Sequence, residues 1–221
     1  VCSKMCCPRR PPLTNVNAHR LVERNRMWTR RTTYCTCDIF DSLYVGCMPI
    51  GPKTDDGEIK DIIRQVRDSS EQAVIEDALT RLLNSVHNSN PSHASNTTKV
   101  VKNSGISVLY SFLGQNTQES LQFLSCCTLS ELAFQDEAAC TSIAIHTGML
   151  PALTRLMHRS TPRTRYAAVR AAYHLAAFSG FAVSFLATSP GLCAALCDLA
   201  REEGRDDPDR FLSQAAVGCL S

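Results

Sequence analysis

Arg163, Tyr166, Arg170 and Tyr173 recur at intervals of three, four and three residues, so a helix through them carries four large hydrogen-bonding side chains along one face. Guanidinium and phenol groups in that pattern suit recognition of another surface, because they bury much area, keep a polar tip and concentrate binding energy at interfaces. Shifted back by 43 residues, the same places hold Ser120, Phe123, Cys127 and Ser130; ahead, across a loop five residues longer, they hold Phe211, Gln214, Gly218 and Ser221. Phe123, Arg163, Tyr166, Arg170 and Tyr173 are therefore the candidate partner-binding residues. The stripe expected to be buried on the other side of that helix, Ala168, Ala171, Ala172 and Leu175, is small enough for close packing.

Catalysis has no comparable constellation. His146 and His158 fall near expected helix ends, where an imidazolium suits the dipole, and His174 stands beside Leu175 within a helix. A Gly-rich phosphate loop, H-E-x-x-H and G-x-S-x-G are all missing, so neither enzyme activity nor a cofactor is expected. Of the twelve cysteines, Cys126, Cys127, Cys140, Cys193, Cys197 and Cys219 lie inside apolar helical patterns, where cysteine acts as a small hydrophobe. Free thiols there imply a reducing compartment, the cytoplasm or nucleus. Adjacent helical residues point about 100° apart, which keeps Cys126 and Cys127 from bridging readily. Cys2, Cys6, Cys7, Cys35, Cys37 and Cys47 contain no C-x2-C pair and have only His19 among them, so the ligand spacing of a zinc site is wrong and no metal is expected.

The formal charge of +2 is unevenly placed: residues 1–31 hold eight basic side chains against Glu23 alone. Such a leader serves as a solvated tail, an interaction arm or a targeting segment. Pro11-Pro12 and the scarcity of serine weigh against an import presequence, and no apolar secretion segment follows. Residues 1–50 show no sustained period, although Ile39, Phe40, Leu43, Tyr44 and Val45 form a brief apolar cluster able to dock on the first helical unit. From Ala171 to Cys197 the chain carries no Lys, Arg, Asp or Glu, long enough to span a bilayer, but Ser179-Gly180 and Ser189-Pro190-Gly191 divide it into two short helices.

The elements that must position the candidate face are set by an internal repeat. Gly105, Gly148 and Gly191 stand 43 residues apart, each opens a similar apolar phrase, and each is followed eight residues later by Leu113, Leu156 or Leu199. A period in the forties with helical content marks an α-solenoid, an all-α stack with the three glycines at equivalent turns and no β-sheet. Helix starts are expected at Thr161-Pro162, Ser189-Pro190 and Asp207-Pro208, and after the cap residues Asp136, Thr117 and Ser70. A weaker unit fits residues 57–87, with Ile59, Ile62, Ile63 and Val66 on one helix and Ala78, Leu79, Leu82 and Leu83 on the next. Units then follow at about 97–135, 136–179 and 180–221. The polar run over 87–98 reads as a loop that replaces a first helix.

With Thr-Lys-Val-Val-Lys-Asn-Ser-Gly-Ile from Thr98 and Ala-Ala-Val-Arg-Ala-Ala-Tyr-His-Leu-Ala from Ala167, the chain from about Thr97 resembles the armadillo-repeat family. The resemblance implies three helices per unit, a right-handed superhelix and a concave groove, lined by the third helices, that holds a protein or peptide partner. It implies a non-catalytic interaction scaffold; nucleic acid is not the expected partner, and the oligomeric state stays open. One alternative is an import adaptor of the importin-α type, whose third helices carry repeated tryptophan and asparagine; here the corresponding places hold Cys126 and Ser130, Val169 and Tyr173, and the only tryptophan is Trp28. Another is the substrate-binding part of a larger ubiquitin ligase. Val1 at the start and an apolar stripe cut short at Ser221 read as a fragment of a longer array.

Overall fold

The computed structural model describes residues 56–134, 136–180, 189 and 191–201, and every regular element among them is a helix. In chain order these are α1 (Asp56–Asp68), α2 (Gln72–Val86), α3 (His93–Lys102), α4 (Gly105–Ser111), α5 (Glu119–Ala133), α6 (Glu137–Ile145), α7 (Met149–Arg159), α8 (Pro162–Phe178) and α9 (Leu192–Arg201). The basic leader, the apolar cluster near residue 40, Cys219 and the places of Phe211, Gln214, Gly218 and Ser221 lie outside the described residues.

Apolar spacing explains where the helices bury themselves. Ile59, Ile62, Ile63 and Val66 on α1 and Ala78, Leu79, Leu82 and Leu83 on α2 are all withdrawn from water, as the weak first unit requires. Each fully buried Leu or Ile contributes about 1.5–3 kcal/mol of transfer free energy, so this pair of helices is a working part of the core. Leu113, Leu156 and Leu199 are likewise buried at their repeating places. Ala167, Ala168, Ala171 and Ala172 let α8 lie close along α5, the most extensive helix pairing in the chain, and α5 in turn lies along α2. The result is a stack in which α3–α4–α5 and α6–α7–α8 form successive three-helix units, flanked by α1–α2 and by α9.

Residues 87–98 depart from the expected loop. The turn ends early and α3 begins at His93, with Asn96 and Thr97 buried. The unit therefore keeps its first helix. Two of its asparagines bond within the turn and the neighbouring helix: Asn96 Nδ2 donates to the Ser85 carbonyl at 2.8 Å, and Asn90 Oδ1 accepts from the Ser92 amide at 2.9 Å, while the Thr97 hydroxyl is buried without a hydrogen-bond partner among the described residues. Hydrogen bonding here replaces the apolar burial that a sequence pattern detects.

The three glycines are also not fully equivalent. Gly148 and Gly191 take φ of +85° and +80° immediately before α7 and α9. Before α4 that left-handed place belongs to Ser104, at φ +60°, and Gly105 is already the first helical residue. Gly105 is needed for space, since a Cβ there would stand 2.8 Å from the Val100 carbonyl oxygen.

Helix starts follow local chemistry in part. Asp136 Oδ1 accepts from the Ala139 amide at 2.8 Å, and Pro162 occupies the opening of α8. α2 and α5 open one residue later than Ser70 and Thr117 suggest, with Glu71 and Gln118 at the cap and no side-chain cap bond. Gly191, and not Pro190, stands immediately before α9, which opens at Leu192. α8 closes at Phe178, so the uncharged run from Ala171 is divided where its Ser and Gly residues fall. Among the described residues no helix is long and apolar enough to cross a membrane.

Candidate functional site

Bonds between successive units tie the long helices α2, α5 and α8 side by side. Glu76 of α2 accepts from the Ser120 hydroxyl, and Glu119 of α5 accepts from Thr161 and, at 3.3 Å, from Thr164 of α8. Thr161 precedes Pro162 as expected, yet its hydroxyl serves this contact between units and makes no cap bond. Near the other end His174 Nδ1 donates to the Ser130 carbonyl at 2.8 Å. On the flank, Arg155 Nη2 donates to the Leu113 carbonyl.

The candidate residues of α8 do not share one open face. Arg163 is exposed, and its guanidinium carbon lies 3.9 Å from the centre of the Phe123 ring, a cation–π contact across units. Phe123 itself is buried beneath it, and Tyr166 is half-buried against the core. Tyr173 is half-buried, its ring 5.8 Å from that of His174. Arg170 points into the stack, where Nη2 meets Glu131 Oε1 of α5 at 2.6 Å. A third helix in a stack is covered by its neighbours, so the residue one turn on from Tyr166 faces α5 and not solvent. Arg170, a candidate partner-binding residue by spacing, is thereby buried within the stack.

Glu131 is the residue that sequence reasoning missed. Its carboxylate takes Arg170 on one oxygen and the Asn88 amide on the other at 3.2 Å, while its carbonyl accepts from His93 Nε2 at 3.3 Å. It thus joins the turn before α3, α5 and α8. Beside it Phe134 packs against His174 and Phe178, with ring centres 5.2 Å and 5.3 Å apart. The positions compared with an adaptor's tryptophans, Cys126 and Val169, are wholly buried and line no groove.

The thiols of α5 and α6 are inert by environment. Burial, with Cys127 adding to it, raises the Cys126 pKa far above that of an ordinary thiol. Burial foremost, then the charges of Asp136 and Glu137, push Cys140 up to about 12. Cys126, Cys127, Cys140, Cys193 and Cys197 are all unbridged.

One pair has the residue types of a nucleophile and its base: His146 Nε2 lies 3.2 Å from Ser107 Oγ. The remaining nitrogen, Nδ1, is buried without a hydrogen-bond partner, and the ring rests 4.8 Å from that of Tyr110. Among the described residues no third group orients the imidazole by a hydrogen bond, and the pair joins two units. Among the described residues no group of three or more His, Cys, Asp and Glu could hold a metal ion.

No protein-family model matches the chain, and no curated protein matches its sequence. Solved structures do. A designed armadillo repeat protein in complex with the peptide (KR)4 matches with a TM-score of 0.63 at 18% identity, over 75% of this chain and 65% of that one. Two engineered proteins solved by the Northeast Structural Genomics Consortium match at 18% identity with TM-scores of 0.64, over 75% of this chain and 64% of the other, and 0.65, over 90% and 77%. The chain spans less than two thirds of the first two of these structures. At such identity the likeness establishes architecture: the fold is the right-handed armadillo-like α-solenoid.

Proposed function

We propose that the chain is a non-catalytic protein-interaction scaffold that holds an extended or helical segment of a partner protein along the surface formed by α2, α5 and α8. The supporting observation is the accessible side of α8, where Arg163 stacked on Phe123 near its start and the half-buried Tyr166 and Tyr173 further along stand on helices locked in place by the bonds from Glu119 and Glu131. Aromatic and arginine side chains on a rigid support lose little freedom on binding and are the types that dominate interface energies. Arg170 acts beneath them as a support. The designed armadillo relative bound to (KR)4 shows that this architecture can carry a peptide. Unbridged thiols in the core favour the cytoplasm or nucleus.

The test is selection of peptide ligands from a displayed library against the intact chain, followed by affinity measurement on Arg163→Glu and Tyr173→Ala. Selected peptides should lose roughly tenfold or more in affinity to either variant, as truncation of an interface hot spot does, while the thermal midpoint moves little. Undiminished binding to both variants would show that this face is not the docking surface.

A further inference from the structure

Of the ten prolines in the chain, two follow a hydroxyl residue, in the steps Thr161-Pro162 and Ser189-Pro190. The Ser189 hydroxyl is buried. Thr161 is exposed, as are Pro162 and Arg163 after it. The link from α7 to α8 consists of Ser160 and Thr161 alone, and both are extended, at φ −100°, ψ 173° and φ −63°, ψ 160°. An extended, exposed hydroxyl residue followed by proline is the form in which proline-directed protein kinases take their substrates.

The Thr161 hydroxyl donates to Glu119 of α5 and does not cap α8. Glu119 also accepts from Thr164 at 3.3 Å. Both bonds cross from one unit to the next. The chemical state of one oxygen, Thr161 Oγ1, is therefore felt directly by the joint between α5 and α8.

We propose that Thr161 is a regulatory phosphorylation site and that the phosphate opens the start of the joint between α5 and α8. A proline-directed kinase transfers the γ-phosphoryl group of ATP to Thr161 Oγ1: a new O–P bond forms, the bond from the γ-phosphorus to the bridging oxygen breaks to leave ADP, and the hydroxyl proton departs. The oxygen that donated to Glu119 then has no proton, and about −1.5 to −2 elementary charges stand against a carboxylate. The start of α8 attracts an anion, but with about half an elementary charge, less than the full charge of Glu119 that repels it. Arg163 and Arg165 can neutralise the phosphate only by leaving other contacts, since one is stacked on Phe123 and the other donates from Nε to the Met157 carbonyl at 3.0 Å. Drawing Arg163 to the phosphate uncovers Phe123, so the candidate docking face changes as well. That last consequence rests on the docking role proposed above; the opening of the joint does not.

Incubation of the full chain with purified kinases of the cyclin-dependent and mitogen-activated classes, ATP and Mg²⁺ should place a phosphate on Thr161, located by mass spectrometry and lost in Thr161→Ala. The phosphorylated chain should melt roughly 2–4 °C below the unmodified one. Glu119→Gln, which removes the repelling charge, should abolish that decrease. Thr161→Glu should lower the midpoint in the same direction and lose its effect in the same Glu119→Gln background. No phosphate on Thr161 from either kinase, an unchanged midpoint after phosphorylation, or an equal decrease with and without Glu119→Gln would overturn the inference. A peptide selected on the intact chain separates this inference from the docking role. Affinity reduced on the order of tenfold by phosphorylation joins the switch to the docking face, whereas a lowered midpoint with unchanged affinity upholds the switch and counts against that face.

Discussion

Arg170 of α8 and Glu131 of α5 form an ion pair at 2.6 Å with side-chain exposures of 9% and 1%, joining two successive units through the interior of the stack. Two charges taken from water together can hold each other, but one left alone cannot. Arg170→Met should therefore destabilise the chain by about 3–5 kcal/mol, and adding Glu131→Gln to it should cost much less than the sum of the single changes. Urea unfolding of the single and double variants measures the coupling.

Thiol reactivity should divide sharply between the helices. Alkylation with iodoacetamide at pH 8, mapped by mass spectrometry, should label the exposed Cys193 and leave the buried Cys126 and Cys140 unmodified until denaturant is added. Modification of Cys140 in the native chain at the rate of Cys193 would contradict its environment.

Those same thiols make stability depend on alkaline pH. The unfolded chain releases such protons near pH 8.5, while folded Cys140 holds its own up to about pH 12. Above about pH 8.5 the unfolded state binds fewer protons, so stability falls as pH rises, by up to about 1.4 kcal/mol per pH unit for each thiol. Below that range the two thiols contribute no slope. Urea midpoints from pH 7 to pH 10 should show the decline, and Cys140→Ala should flatten part of it.

Glycine substitutions should rank by what surrounds each site. Gly191→Ala meets only Thr154 Cγ2 at 3.7 Å, leaving the strain of φ +80°, about 1–2 kcal/mol. Gly148→Ala adds to similar strain a collision with the Tyr110 hydroxyl and should cost more. Thermal melts of the two variants, with Tyr110→Phe restoring part of the Gly148→Ala loss, check the order.

The long apolar helices were legible because burial follows the 3.6-residue period: the Ile and Leu positions of α1 and α2 and the alanine stripe of α8 are all interior. α3 was not, since Asn96 and Thr97 are interior beside Val100, and Asn96 is held there by a bond to the Ser85 carbonyl, which no local pattern records. The candidate residues were placed on one helix face by spacing alone. The rotation of that face against α5 was beyond local spacing, because only Glu131, 39 residues earlier, reveals where Arg170 points.

The bonds that join α2 to α5 and α5 to α8 span 39–45 residues, each reaching only to the adjacent long helix. A pull on the two ends of the chain is consequently borne by successive joints in series, and the weakest gives way first. The joint between α5 and α8 has the ion pair, the Ser130–His174 contact and two hydroxyls on Glu119. That between α2 and α5 has the Glu76–Ser120 bond and the Asn88 amide on Glu131. Under tension the array should therefore open like a spring with one soft coil, parting at α2 and α5 while α5 and α8 stay closed.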